Sequence, residues 1–126
     1  MSWVKTFAKS SIGAKVVMAL SGMIVLGFVL GHMLGNLQLF LGQEALNSYA
    51  DMLQNTPLLL WGTRVVLLVA IVAHIVSGLR LSLLNQEARP NRYAQKAYVE
   101  ASIGSRTMRL SALVVFAFIV YHLLHF

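Results

Sequence analysis

The sequence predicts an all-α, polytopic transmembrane helix bundle with three spans in this chain. Of its 126 residues 58% are hydrophobic and 11% are charged, whereas roughly a quarter of an ordinary soluble domain is charged. The mean hydropathy is +0.73. Three apolar segments, at about 15–36, 58–84 and 108–126, approach or exceed the ~17–25 residues that a helix needs to cross the hydrocarbon core. We therefore expect one transmembrane domain over 1–126, with an outer loop at 37–57 and a cytoplasmic loop at 85–107.

The first apolar segment is not a cleaved signal peptide, since it continues through His32 and Asn36 without a small-residue cleavage pattern. The leader before it carries Trp3 and Phe7 among lysines and serines, a composition suited to the inner interface beside anionic membrane lipid. The absence of cysteine excludes disulfides and thiolate metal sites.

The net charge of +6 reflects topology rather than nucleic-acid binding. Three lysines lie before or at the start of the first span, and six cations lie from the inner end of the second span to the start of the third, whereas the loop at 37–57 has Glu44 and Asp51 and no Lys or Arg. The positive-inside rule then places the N-terminus and the second loop in the cytoplasm. Arg64, inside span two, is the exception. Its guanidinium is expected either to reach the outer interface or to bind a ligand within the membrane.

The first span carries Gly27, Gly31 and Gly35 at every fourth position, with His32 among them. This ridge lets another helix or a flat cofactor approach the backbone closely, and the glycines alone leave both possibilities open. The imidazole is a candidate functional group, because burying it unpaired in a bilayer costs free energy.

The outer loop contains apolar positions at helical spacing, which predict a short amphipathic helix ending before Pro57: Leu46, Tyr49, Ala50 and Leu53. Its polar residues fit either a surface loop or an outer site that receives protons: Glu44, Asn47, Tyr49 and Asp51. The cytoplasmic loop fits a lipid-facing surface or a docking surface for a soluble subunit, through Arg89, Arg92, Tyr93, Lys96 and Tyr98.

An internal repeat selects among the histidines. Residues 11–15 resemble residues 102–106 at an offset of 91, and after one dropped residue the match resumes at an offset of 90, where Phe28 matches Phe118 and His32 matches His122. Spans one and three then form a parallel repeat, and His122 rather than His125 is the expected partner of His32.

Helix rise supports the same pairing. His32 stands roughly 25 Å above Lys15 and His122 roughly 20 Å above Arg109, whereas His74 lies roughly 9 Å from the inner boundary at Arg80. Two imidazoles at one depth suit the two axial positions of a haem iron, while a zinc or di-iron site needs further ligands that the spans lack. The alternative is that each histidine hydrogen-bonds a carbonyl or a serine between helices; span two offers Ser77 and Gly78 on the face of His74.

Several motifs together resemble a known family, the cytochrome b558-type membrane anchor subunit of succinate dehydrogenase/fumarate reductase. They are Ser-Ile-Gly-x-Lys, Gly-His32-Met-Leu-Gly-Asn36-Leu, His74-Ile-x-x-Gly-Leu-Arg80-Leu, Asn85-x-x-Ala-Arg89-Pro90, Ser-Arg106-Thr-Met and Tyr121-His122-Leu. The resemblance implies a five-helix bundle with two b haems in a bacterial inner (cytoplasmic) membrane.

On this resemblance His32 and His122 ligate the iron of the outer haem b, and His74 ligates the inner haem b. Gly31, Gly35 and Arg64 lie beside the outer haem, and a haem propionate or a quinone headgroup is the expected partner of Arg64. The second ligand of the inner haem and the last two helices are not in this sequence, so we expect a truncated subunit or another chain that supplies them. The implied protein partners are the flavoprotein and iron–sulfur subunits of this tricarboxylic acid cycle complex. The implied membrane substrate is a quinone, namely menaquinone, for which the polar residues of the outer loop could form a site. The chain itself would conduct electrons without catalysing the reaction.

Two other functions stay open. One is a small helical membrane assembly or transport subunit without a cofactor. The other is the cytochrome b of another quinone-linked dehydrogenase.

Overall fold

The computed structural model describes residues 2–91 and 94–125, and over these it contains helices and no strand. The helices are α1 (Ser2–Lys9), α2 (Ser11–Asn36), α3 (Gln43–Gln54), α4 (Pro57–Glu87), α5 (Ile103–Arg106) and α6 (Met108–His125), with a 3-10 turn over Leu37–Leu41. Three helical segments are long and apolar enough to cross a membrane: Ser11–Leu41, Pro57–Glu87 and Met108–His125. The loop residues Arg92 and Tyr93 and the expected end of span three at Phe126 lie outside the described residues.

The chain divides into two compact units, Met1–Pro90 and Asn91–Phe126. The first unit contains α1 to α4 and the second contains α5 and α6. The single transmembrane domain over 1–126 stays a prediction.

Local signals in the sequence end and start the helices of the first unit. The Ser10 hydroxyl caps α2 by accepting a hydrogen bond of 2.9 Å from the Gly13 amide. Gly42 has φ of +110°, a conformation that favours glycine, and it turns the chain from the 3-10 turn into α3. Pro57 is the first residue of α4, where its missing N–H leaves no hydrogen bond unmade.

Helices α2 and α4 pack along a seam of mostly small side chains. The buried residues on α2 include Ala14 and Ser21, and those on α4 are Ala70, Ser77 and Leu81. Ala14 and Ser21 are seven residues apart, as are Ala70 and Ser77. Small side chains at heptad spacing let two apolar helices approach closely along their length.

Large apolar side chains cover the outside of the spanning helices. Among the described residues none of the large side chains is fully buried, and many Leu, Val and Phe side chains are exposed on α2, α4 and α6. A helix that is apolar all round is typical of a membrane span. These exposed surfaces therefore fit a lipid environment.

The second unit contains the third span and a short helix before it. The Ser102 hydroxyl caps α5 by accepting a hydrogen bond of 3.2 Å from the Ser105 amide. Helix α5 ends at Arg106 and α6 begins at Met108, so the path breaks at Thr107. The Arg106 guanidinium lies 3.8 Å from the centre of the ring of Tyr98, which is in the loop before α5.

Candidate functional site

His74 lies on the α4 face that packs against α2. Its Nδ1 atom is 3.1 Å from the Met18 carbonyl oxygen and 3.3 Å from the Ser21 hydroxyl oxygen. A carbonyl oxygen only accepts hydrogen bonds, so the Met18 contact requires the proton on Nδ1. The Ser21 hydroxyl donates to the Val17 carbonyl at 2.6 Å and therefore presents a lone pair to the same Nδ1–H.

This arrangement leaves Nε2 of His74 as the nitrogen with the lone pair. In the part of the chain that the structure describes, Nε2 meets no hydrogen-bond partner. Ligating histidines show the same division, since one nitrogen donates to a carbonyl and the other binds the metal.

Gly22 makes the close approach of His74 possible. A Cβ atom at Gly22 would lie 3.0 Å from Cε1 and 3.3 Å from Nδ1 of His74. Both distances are shorter than ordinary van der Waals contact. A glycine at this position therefore allows the imidazole to reach the backbone of α2.

Met18 and Ser21 were not among the partners predicted for His74. Ser77, which was predicted to share a face with His74, is buried, and Gly78 has no atom within 4 Å of where its Cβ would be. The signal that could have found the partners is the Ser21–Gly22 pair in an otherwise apolar stretch. That signal gained meaning only once the facing helix was known.

His32 lies near the far end of α2 and is exposed in the first unit. Its ring stacks on Phe28, with ring centres 5.3 Å apart and planes 14° from parallel. The Asn36 side-chain amide donates to the His32 carbonyl at 2.7 Å and lies 3.4 Å from Nδ1. These contacts fix the imidazole on one side of the helix.

An apolar pocket of about 540 Å³ opens between α2 and the first half of α4. Its lining includes Ile24, Phe28, Leu58, Gly62, Val66 and Leu67. Phe28 thus contacts the pocket and the His32 ring. The volume falls within the range of roughly 300–1,000 Å³ that is usual for ligand pockets.

The glycine ridge does not behave as one surface. Nothing lies within 4 Å of where a Cβ atom would be at Gly27 or Gly31. At Gly35, in contrast, the Tyr49 ring of α3 covers the backbone, and its Cε1 and Cζ atoms lie 2.8 Å from that point. The role of Gly31 and Gly35 beside a cofactor stays a prediction. The surface at Gly31 is open, whereas the Tyr49 ring covers Gly35.

The other residues expected at the outer site differ in exposure and in the side chains that they contact. The Arg64 guanidinium stands 4.9 Å from the centre of the Trp61 ring, and both side chains are exposed near the start of α4. Tyr49 is half-buried with the rest of the apolar face of α3. Glu44, Asn47 and Asp51 are exposed, as expected for the polar face of that helix.

His122 belongs to the second unit. Its ring stacks on Phe118, with centres 5.6 Å apart and planes 16° from parallel, which is close to the Phe28–His32 geometry. His125 stacks in the same way on Tyr121, with centres 4.6 Å apart. The pairing of His32 with His122 stays a prediction.

Within residues 2–91 and 94–125, no group of three or more His, Cys, Asp or Glu side chains could hold a metal ion. The candidate ligands are therefore single histidines. A haem iron, which takes only two protein nitrogens because the porphyrin supplies the others, matches such a donor set.

Comparisons with known proteins add no relative. A scan against protein-family models, a search of curated proteins and a search of solved structures each found no match. The family resemblance therefore depends on the motifs alone.

Proposed function

We propose that this chain is a haem b-containing membrane anchor of a succinate:quinone oxidoreductase. In this role it conducts electrons between an iron–sulfur subunit and a quinone in the membrane. His32 and His122 hold one haem iron, and His74 holds a second together with a ligand from outside this sequence.

The observation that carries the proposal is the state of His74. Inside an apolar helix, its Nδ1–H is bonded to the Met18 carbonyl and its Nε2 lone pair has no partner among the described residues. A lone imidazole acceptor in hydrocarbon is costly unless it binds something. An iron ion would accept this lone pair, and the hydrogen bond from Nδ1 to the Met18 carbonyl would stay in place.

The surroundings of His32 support the same proposal. The stack on Phe28 fixes the orientation of the imidazole, and the pocket beside Phe28 is almost wholly apolar. A macrocycle with an apolar rim needs such surroundings, which keep water away from the iron. Haem b, when bound, supplies the one-electron carrier, and the chain supplies ligands and a low dielectric.

The experiment is a set of dithionite-reduced spectra with a haem determination on the purified full complex. We expect His32→Ala and His122→Ala to remove the same b-type band, and His74→Ala to remove a different one. His125→Ala is the matched control, because it removes a stacked histidine from α6, three residues from His122, and is expected to leave both bands in place.

Two outcomes would refute the proposal. One is a folded, monodisperse wild-type preparation without a low-spin b-type band. The other is a set of bands that is unchanged in the His32 and His122 variants. Copurification of succinate dehydrogenase activity separates this complex from another quinone-linked dehydrogenase.

A second candidate is a helical membrane subunit without a cofactor. One observation favours it: the Nδ1 contacts of His74 join α2 to α4. In a subunit without a cofactor, the role of such a histidine is an interhelical hydrogen bond of this kind. In this case His74→Ala weakens helix packing and no variant changes a haem band. The spectra described above therefore separate the two functions.

A further inference from the structure

Helix α1 has two chemically different faces. On a helix of 3.6 residues per turn, Trp3 and Phe7 lie one turn apart, flanked by Val4 and Ala8. Lys5 and Lys9 lie one turn apart on the opposite side. All of these side chains are exposed in the first unit, and Trp3 is the most exposed of the large apolar ones, at 73%.

Contacts from both spanning helices fix the direction of α1. The Ser10 hydroxyl donates to the Phe7 carbonyl at 2.7 Å and accepts from the Gly13 amide, which joins α1 to α2. The Arg80 guanidinium of α4 donates from Nη1 to the Ala8 carbonyl at 2.8 Å, and from Nη2 to the Lys9 carbonyl. Arg80 thus binds the last carbonyls of α1, where a cation is favoured.

A glycine allows the tight bend between the two helices. A Cβ atom at Gly13 would lie 2.9 Å from the Phe7 carbonyl carbon, so any larger side chain would push α1 away. Since α2 begins one residue after Ser10, α1 is held at the level where the first membrane span starts. Its exposed apolar face therefore cannot move far from the membrane surface.

The charge at this end of the first unit has one sign. No Asp or Glu precedes Glu44, so four cations stand near the bend without a carboxylate from the first forty residues: Lys5, Lys9, Lys15 and Arg80. Glu87 lies two turns beyond Arg80 on α4. A partner for this surface needs apolar depth for the two aromatic rings and negative charge for the lysines.

We propose that α1 binds the surface of an anionic phospholipid leaflet. Trp3 and Phe7 enter the boundary between headgroups and acyl chains, and Lys5 and Lys9 pair with lipid phosphates. Aromatic rings at this depth and lysines beside anionic headgroups are both typical of interfacial helices. Arg80 acts through the bend, because its hydrogen bonds set the angle at which α1 meets the leaflet.

The test measures lipid contact at Trp3 in the full-length protein. The chain has two tryptophans, so Trp61→Phe leaves Trp3 as the single fluorophore. The protein is reconstituted in vesicles of phosphatidylcholine with phosphatidylglycerol, and one of the two lipids is brominated in turn. We expect Trp3 to be quenched by both lipids, with a several-fold preference for brominated phosphatidylglycerol.

We expect the double variant Lys5→Gln, Lys9→Gln to reduce that preference to near unity, since each lysine contributes to binding an anionic surface. Lys96→Gln removes one cation from the second unit and is the control that keeps the preference. Far-UV circular dichroism of each variant checks that the helices are intact.

Two results would overturn the proposal. If Trp3 keeps a water-exposed emission maximum and neither brominated lipid quenches it, α1 faces water or a protein partner. If the double lysine variant keeps the full preference for phosphatidylglycerol, the lysines do not bind the headgroups.

Discussion

Replacing Gly22 with alanine tests the contact between His74 and α2. The new Cβ atom would lie 3.0 Å from Cε1 and 3.3 Å from Nδ1 of His74, so the imidazole must move away from the Met18 carbonyl. Gly27→Ala is the matched control, because it adds the same methyl group to the same helix where nothing lies within 4 Å.

The two variants share one effect and differ in another. Alanine favours a helix over glycine by about 0.8–1.0 kcal/mol, and this gain is common to both. Only Gly22→Ala disturbs the interhelical hydrogen bond, a kind that contributes about 0.6 kcal/mol on average and at most about 1.7 kcal/mol in membrane proteins. We therefore expect the free energy of unfolding of Gly22→Ala to be lower than that of Gly27→Ala by about 0.6–1.7 kcal/mol.

The assay is an SDS titration in mixed micelles, followed by far-UV circular dichroism, on protein without haem. Both glycine variants are also measured in a His74→Ala background, where the difference should vanish because the imidazole is absent. Equal stabilities of Gly22→Ala and Gly27→Ala, or a difference that persists without His74, would refute the contact.

Three further changes test other parts of the first unit. Gly35→Ala brings a methyl group against the Tyr49 ring and should release α3, which limited proteolysis detects as faster cleavage within 37–57; Gly31→Ala, in open surface, should not. Arg80→Gln removes two hydrogen bonds to α1 and should raise amide hydrogen exchange over Ser2–Lys9 relative to Arg109→Gln, and unchanged exchange would contradict the role of Arg80. Ser10→Ala removes the cap of α2 and should cost about 1 kcal/mol in the same SDS titration, a loss that Ser2→Ala should not reproduce.

The sequence could predict the helices because their signals are local. Long apolar runs indicate the three segments that are able to span a membrane, and the structure has a helix at each. The helix expected in the loop at 37–57 is α3, whose apolar residues are half-buried at the predicted spacing. Hydropathy and periodicity depend only on neighbours along the chain, so they predict helices without knowledge of packing.

The packing face of α2 could not be predicted in this way. The glycines at every fourth residue indicated where side chains are missing, but Gly27 and Gly31 face open space. Ser21 is instead buried where α2 contacts His74 of α4, and Ala14, seven residues before it, is buried as well. Whether a small residue meets a helix, a ring or nothing depends on the facing element, which a single sequence does not specify.

The repeat predicted between the first and third spans stays a prediction, and its missing residue can be compared with the helix bounds near Thr107. The second copy lacks one residue between 106 and 110, and a continuous helix with this deletion would turn every later side chain by about 100° relative to the start of the copy. The path breaks at Thr107, between α5 and α6, so the later residues are released from that rotation. The Phe118–His122 stack that follows resembles the Phe28–His32 stack of the uninterrupted α2. Restoring one residue after Thr107 gives the second copy the spacing of the first, so it should join α5 to α6 in one helix; if the two copies ligate one haem, its band should remain, whereas His122→Ala removes it.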